Sequence, residues 1–176
     1  AAVLTGGKIV SIEVNMNQGG LATTIGGNRF FIISAGYLGS MIWGGTIMVL
    51  ASRFSFDRQV AMVLGVGLAL VGLIYVANFS GKAFTIAFST LLILMASFAP
   101  NVVNDFVLKV IGMSSVLYAI IDIKSDAISR NIAGSDASKL GELYFGNSAF
   151  WGIIWIGIAT LSGLFFLYIA AQKEIR

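Results

Sequence analysis

Four stretches of this chain run for about twenty residues with no charged side chain: Phe30 to Ala51, Val60 to Phe79, Ala83 to Ala99 and Phe150 to Ala171. A fifth, from about Val107 into Asp122, carries only Lys109 before its closing acid. At 1.5 Å per residue, about twenty helical residues cross about 30 Å of hydrocarbon. In lipid every backbone polar group must be satisfied within its own segment, so such runs become helices. This predicts an all-α polytopic membrane protein with about five transmembrane helices. The surface chemistry agrees, since 11% of the residues are charged, less than half of the roughly 25% usual for soluble domains. The net charge of +3 is spread along the chain. That argues against a nucleic-acid partner and leaves the lipid bilayer as the expected one. Basic residues divide too evenly between the two sides to set an orientation.

The joins are short. Phe54 to Arg58 and Ser80-Gly81-Lys82 read as turns between antiparallel neighbours. Pro100, the only proline, stands where the third span ends, as a helix stop would. Asn101 to Lys109 reads as a polar break before the fourth span. Gly36, Ser40 and Gly44 recur every four residues, a stripe on which another helix can approach closely, and Gly65 with Ala69 repeats the device. Trp151 and Trp155 near one end of the last span, with Tyr168 near the other, suit aromatic belts at the two interfaces. The whole chain, 1–176, reads as one membrane-embedded domain.

The N-terminal part differs. Ala1 to Leu4 followed by Gly6-Gly7 looks like the last turn of a helix with a glycine stop, and the chain does not begin with Met. We therefore expect an N-terminal truncation. Lys8 to Val14 alternates, with Val10, Ile12 and Val14 on one face. Asn15 to Gly20 is a turn cluster, and Leu21 to Ile25 forms a returning strand. A small β-hairpin at the membrane surface follows. It serves as a connector, or offers an edge to which an extended peptide can add.

The absence of Cys and His excludes thiolate sites, triads and zinc sites built from this chain alone. No phosphate loop, dinucleotide motif, nucleophile elbow or calcium loop is present. Gly112 to Arg130 is the informative stretch. Asp122 follows Val116 to Ile121 without a polar break, and a carboxylate at the end of such a run costs a few kcal/mol if it lies deep in lipid. Asp126, four residues on, shares its helical face, and a bound cation would relieve their repulsion. The plainer account has the helix meeting water at Asp122, with Asp126 pairing Arg130. Later, Gly134-Ser135-Asp136 reads as a helix start with Ser135 as the cap, opening a short surface helix to about Tyr144.

The order of features carries a resemblance. A helix end at Ala1 to Lys8 leads to a strand with Ile12-Glu13, a Gly-Gly turn and a span opening Ser34-Ala35-Gly36-Tyr37-Leu38-Gly39-Ser40. Much later come Leu117-Tyr118-Ala119-Ile120-Ile121-Asp122-Ile123 and then Gly134-Ser135-Asp136-Ala137. Over nearly its whole length the chain resembles the site-2-protease-like intramembrane zinc metallopeptidases, in their B-type peptidase branch. In such families an H-E-x-x-H motif on the first helix gives two zinc ligands and the general base, because residues four apart share a helix face. A distant Asp supplies the third ligand, and Asp122 matches it. The zinc polarises the scissile carbonyl and lowers the pKa of its water. The hairpin looks like the family's membrane-associated β element, which helps present an unwound substrate.

This sequence departs from the pattern in lacking H-E-x-x-H, which would fall just upstream of Ala1. No catalytic residue is therefore assigned within it, and the chain alone is predicted not to bind zinc or cleave peptides. The resemblance implies a zinc metalloendopeptidase acting on membrane-protein or peptide substrates, with Asp122 as metal ligand. Asp126, Ser114 and Ser115 become possible residues of its surroundings, although packing or helix back-bonding accounts equally for the two serines. The rival is a non-catalytic membrane scaffold or binding protein on the same fold. A small transporter is weaker, having only the Asn101 to Asp105 break to recommend it.

Overall fold

The computed structural model describes residues 1–15, 19–125 and 135–172. In chain order these form a single 3-10 turn (Val3–Thr5), strands β1 (Lys8–Asn15) and β2 (Gly19–Ile25), and helices α1 (Arg29–Arg53), α2 (Asp57–Ile74), α3 (Phe79–Phe98), α4 (Asn101–Ile123), α5 (Asp136–Leu143) and α6 (Ser148–Ala170). Five of the helices are long and apolar enough to cross a membrane, and the two strands make an antiparallel hairpin, as the sequence predicts. The chain divides into two compact units, one of Ala1–Asn28 with Phe56–Phe106 and one of Arg29–Ser55 with Val107–Arg176.

In the first unit α2 and α3 form an antiparallel pair. Gly65 sits against Leu92 and Ile93, and Gly72 against Thr85, so bare Cα atoms set the closeness of the two helices. Both helices depart from the predicted spans at the turn between them. α2 stops at Ile74 rather than Phe79, because Tyr75 and Ala77 pair with Ile12 of β1: the Ile12 N–H donates to Tyr75 O at 2.8 Å and the Ala77 N–H to Ile12 O at 2.9 Å. Ser80-Gly81-Lys82, predicted as a turn, is the first turn of α3.

The polar break predicted at Asn101 to Lys109 is also a correction. Ala99 is extended ahead of Pro100 (ψ 152°), as the residue before a proline prefers, and α4 begins at once. Its first amides, Val103 and Asn104, donate to Pro100 O at 3.1 and 3.3 Å. The fully buried Asn104 turns its Nδ2 toward the carbonyls of Met95, Ala99 and Pro100 at 3.2–3.4 Å. Arg58 donates to Ala99 O at 2.8 Å. The polar residues gather on carbonyls at and just beyond the end of α3, where Met95 O also accepts from the Ala99 N–H at 2.9 Å.

The hairpin register pairs Lys8 with Ile25 and Asn15 with Gly19, with a shift between Ile9 and Ser11. That irregularity inserts Val10 as an extra residue and breaks the predicted face. Ile12 and Val14 are partly buried, but Val10 is 51% exposed. The 3-10 turn ends at Gly6 with φ +83°, the glycine stop expected there.

The second unit is built on one hydrophobic cluster drawn from α1 (Ile33, Tyr37, Met41), α4 (Val116, Ala119, Ile123), α5 (Ala137, Leu140) and α6 (Trp151, Trp155, Ala159). Trp155 is only 2% exposed, and the Trp151 indole N–H donates to Phe145 O at 2.8 Å. The predicted aromatic belt at this end is therefore corrected: the two tryptophans fill the core, and the indole N–H of Trp151 is satisfied within the protein. Tyr168 remains exposed.

Candidate functional site

Asp122 lies in the last turn of α4, in the second unit. Gly112, Val116, Ala119 and Ile123 are buried and recur at three- and four-residue spacing, which defines the packed side of the helix. Asp122 is partly buried at the edge of that side, next to Ile123, which has no exposed surface. The packed side is fixed by glycine. A β-carbon on Gly112 would stand 2.7 Å from Gly44 O and from the Met48 N of α1, and one on Gly44 would stand 2.9 Å from Gly112 O. The predicted small-residue stripe thus carries helix packing, with α1 and α4 touching backbone to backbone.

Ser115 takes part in this crossing. Its Cβ would lie 2.5 Å from a β-carbon on Gly44, and its hydroxyl donates to Ile111 O of its own helix at 2.8 Å. Ser114, one residue earlier, is exposed. Asp126, the other acid of the predicted pair, lies outside the described residues, as does Arg130.

A second carboxylate belongs to the same unit. Ser135 caps α5 by accepting from the Ser138 N–H at 3.2 Å, as its sequence position predicts, and Asp136 follows in the first turn. Asp136 pairs with Lys139 Nζ at 3.3 Å. Its Oδ2 lies against Gly36, close enough that any β-carbon there would collide with it. Asp122 and Asp136 each precede a fully buried member of one cluster, Ile123 and Ala137. The end of α4 and the start of α5 therefore converge on the same core. The contact of Asp136 with Gly36 was not predicted. The two pieces of sequence that meet in it, Ala35-Gly36-Tyr37 and Ser135-Asp136-Ala137, were singled out separately.

The described residues do not by themselves make a zinc centre. A catalytic zinc takes three protein ligands. The chain has no His or Cys, and among the described residues no three side chains of His, Cys, Asp or Glu gather. Asp122 can supply one oxygen ligand of such a set.

The hairpin has one open edge. Ile12 sends its N–H and C=O outward to Tyr75 and Ala77, and Val14 sends its own to the Asn78 side chain. Their partners across the hairpin, Ala22 and Gly20, are thus the non-hydrogen-bonded pairs of the ladder. Ala22 and Gly20 turn their own N–H and C=O to the far edge of β2, where no further strand pairs among the described residues.

The model of the Peptidase M50B-like family matches residues 1–167, from the first turn through the hairpin, Asp122 and α5 into α6. No curated protein and no solved structure matches the chain. An integral multi-pass membrane protein by its five apolar helices, the chain belongs to the Peptidase M50B-like family.

Proposed function

We propose that the intact protein is a zinc metalloendopeptidase of the membrane, cleaving membrane-protein or peptide substrates, with Asp122 as one of its zinc ligands. The family match across residues 1–167 carries this reading, because it takes in the hairpin, the Ala-Gly-Tyr-Leu-Gly run and both carboxylate sites at once. The position of Asp122 supports it. An acid that closes an apolar span costs a few kcal/mol if it lies deep in lipid, which makes such an acid a candidate for function. The remaining ligands and the general base would come from an H-E-x-x-H helix outside these 176 residues. The open edge of β2 supports a role in holding substrate, since an extended peptide can add to Gly20 and Ala22 by main-chain hydrogen bonds.

The competing reading is a non-catalytic scaffold on the same fold, favoured by the lack of any His in the chain. The full reading frame separates them: an H-E-x-x-H ending within a few residues of Ala1 supports the peptidase, and an intact helix without it supports the scaffold. In the full-length protein, Asp122→Asn is expected to lower zinc content and proteolysis together. Unchanged zinc content would remove Asp122 from the site.

A further inference from the structure

Asn78 stands at the N-cap of α3, with the extended backbone of a capping residue (φ −80°, ψ 143°). Asn is among the best caps because its side-chain oxygen satisfies an orphan amide of the first turn. Here it makes no such bond. Its carboxamide reaches instead to β1, sixty-four residues away in sequence. The Val14 N–H donates to Asn78 Oδ1 at 3.0 Å, and Asn78 Nδ2 donates to Val14 O at 2.8 Å. Nδ2 also donates to Ser80 Oγ at 3.0 Å, which fixes the amide's orientation.

This pair of bonds continues a ladder. Tyr75 and Ala77 bond the N–H and C=O of Ile12, and two residues along β1 the side chain of Asn78 does the same for Val14. One edge of a side-chain amide presents an N–H donor beside a C=O acceptor with nearly the spacing of a peptide group, so Asn78 stands in for the next residue of a strand. Gly81 makes room for it: a β-carbon there would stand 2.6 Å from Asn78 Oδ1 and 2.9 Å from Val14 Cβ. The outer edge of β1 is thereby occupied at both Ile12 and Val14, and the hairpin is tied to the α2–α3 connection at two successive points.

We propose that Asn78 is a substrate-positioning residue. By clamping Val14 it closes the outer edge of β1 and fixes the hairpin, so that an extended peptide adds only to β2, in one register set by Gly20 and Ala22. The inference rests on the peptidase reading. A strand whose partner can slide specifies register weakly, and a slip of the platform changes which residues of the peptide pair with Gly20 and Ala22.

The test uses the full-length protein in proteoliposomes, with a single-span membrane peptide as substrate and products identified by mass. Asn78→Ala is expected to raise KM about five-fold or more, leave kcat and zinc content unchanged, and spread cleavage over neighbouring bonds. Asn78→Asp keeps the acceptor for the Val14 amide and is expected to fall between Ala and wild type. Gly81→Ala, which pushes on the same carboxamide, is expected to spread cleavage likewise. Hydrogen exchange at the Val14 amide should quicken in Asn78→Ala and Gly81→Ala and less in Asn78→Asp, which checks that the clamp and not the whole fold has opened. Asn78→Ala with wild-type KM and a single cleavage position, whatever its melting temperature, overturns the inference while leaving the peptidase reading intact. Asp122→Asn with full activity, or a wild-type protein that cleaves nothing, overturns that reading and the inference with it.

Discussion

The carboxylate of Asp136, in the first turn of α5, lies against the bare Cα of Gly36 on α1, where any side chain would collide with Oδ2. The far end of a short side chain can swing away, so the collision is relieved by moving Asp136 rather than the helices. Gly36→Ala is therefore expected to cost only about 1 kcal/mol. The ion pair with Lys139 adds little, since both side chains are about a third or more exposed. The double variant Gly36→Ala/Asp136→Ala should recover most of the loss, because the two sites act through one contact. Thermal unfolding in detergent, run as a double-mutant cycle, measures this. Additive losses would show that the carboxylate does not rest on Gly36.

At Gly112 the obstacle is backbone. An added β-carbon would stand 2.7 Å from both Gly44 O and Met48 N, neither of which can move without α1. Gly112→Ala is expected to cost about 2–3 kcal/mol by forcing α1 and α4 apart. Gly67 and Gly157 provide the control, for a β-carbon on either meets nothing within 4 Å. Alanine at those positions is expected to be neutral or to stabilise by up to about 1 kcal/mol through helix propensity. Unfolding midpoints of the three variants should rank Gly112→Ala well below the other two.

The contrast shows what sequence reading reaches. Length and the absence of charge place all five spans, because those properties belong to each segment alone. Ser135 is legible as a cap for the same reason, since its partner Ser138 is three residues away. The Gly36-Ser40-Gly44 stripe announces close packing, but not that Gly44 meets Gly112 while Gly36 meets a carboxylate. Asn78 falls inside the span predicted over Val60 to Phe79, and only the fold shows it at an N-cap with its amide turned to a strand sixty-four residues away. Trp151 and Trp155 misled for a related reason: a tryptophan near a span end satisfies an interface or a core equally well, and its neighbours decide. Of the candidate site, Asp122 was visible as an acid on a greasy helix. The contact between Gly36 and Asp136 joins residues a hundred positions apart, which no local pattern records.

Asn104 tests the closure of α3. It is fully buried with its Nδ2 directed at three carbonyls. Asn104→Leu leaves those carbonyls without that donor and is expected to cost about 1–3 kcal/mol. Asn104→Asp should cost more, because it sets a fully buried carboxylate among carbonyl acceptors in place of the donor. Arg58→Ala, which loses the 2.8 Å bond to Ala99 O at an exposed site, is expected to cost less than either. The order of unfolding midpoints checks the assignment. It also bears on transport: α4 is continuous from Asn101, so the broken helix that would suggest an intramembrane ion path is a capped helix end.

Asp122 and Ser115 should separate by what they lose. Ser115 touches Gly44 through Cβ and bonds its own helix through Oγ, so Ser115→Ala keeps the contact and removes only a back-bond. We expect it to change stability by less than about 0.5 kcal/mol and to leave zinc content and activity in the full-length protein as they are. Asp122→Asn is nearly isosteric but removes a charge from the end of an apolar helix. If the carboxylate serves a metal, the variant should fold at least as stably as wild type in the presence of a chelator, since the cost of holding the acid disappears. Zinc affinity should meanwhile fall by more than about 100-fold, beyond the loss usual for residues that only support a ligand. That opposite movement of stability and metal binding is the signature of a residue kept for function. A variant that loses stability with no change in zinc would make Asp122 a structural end to α4 and nothing more.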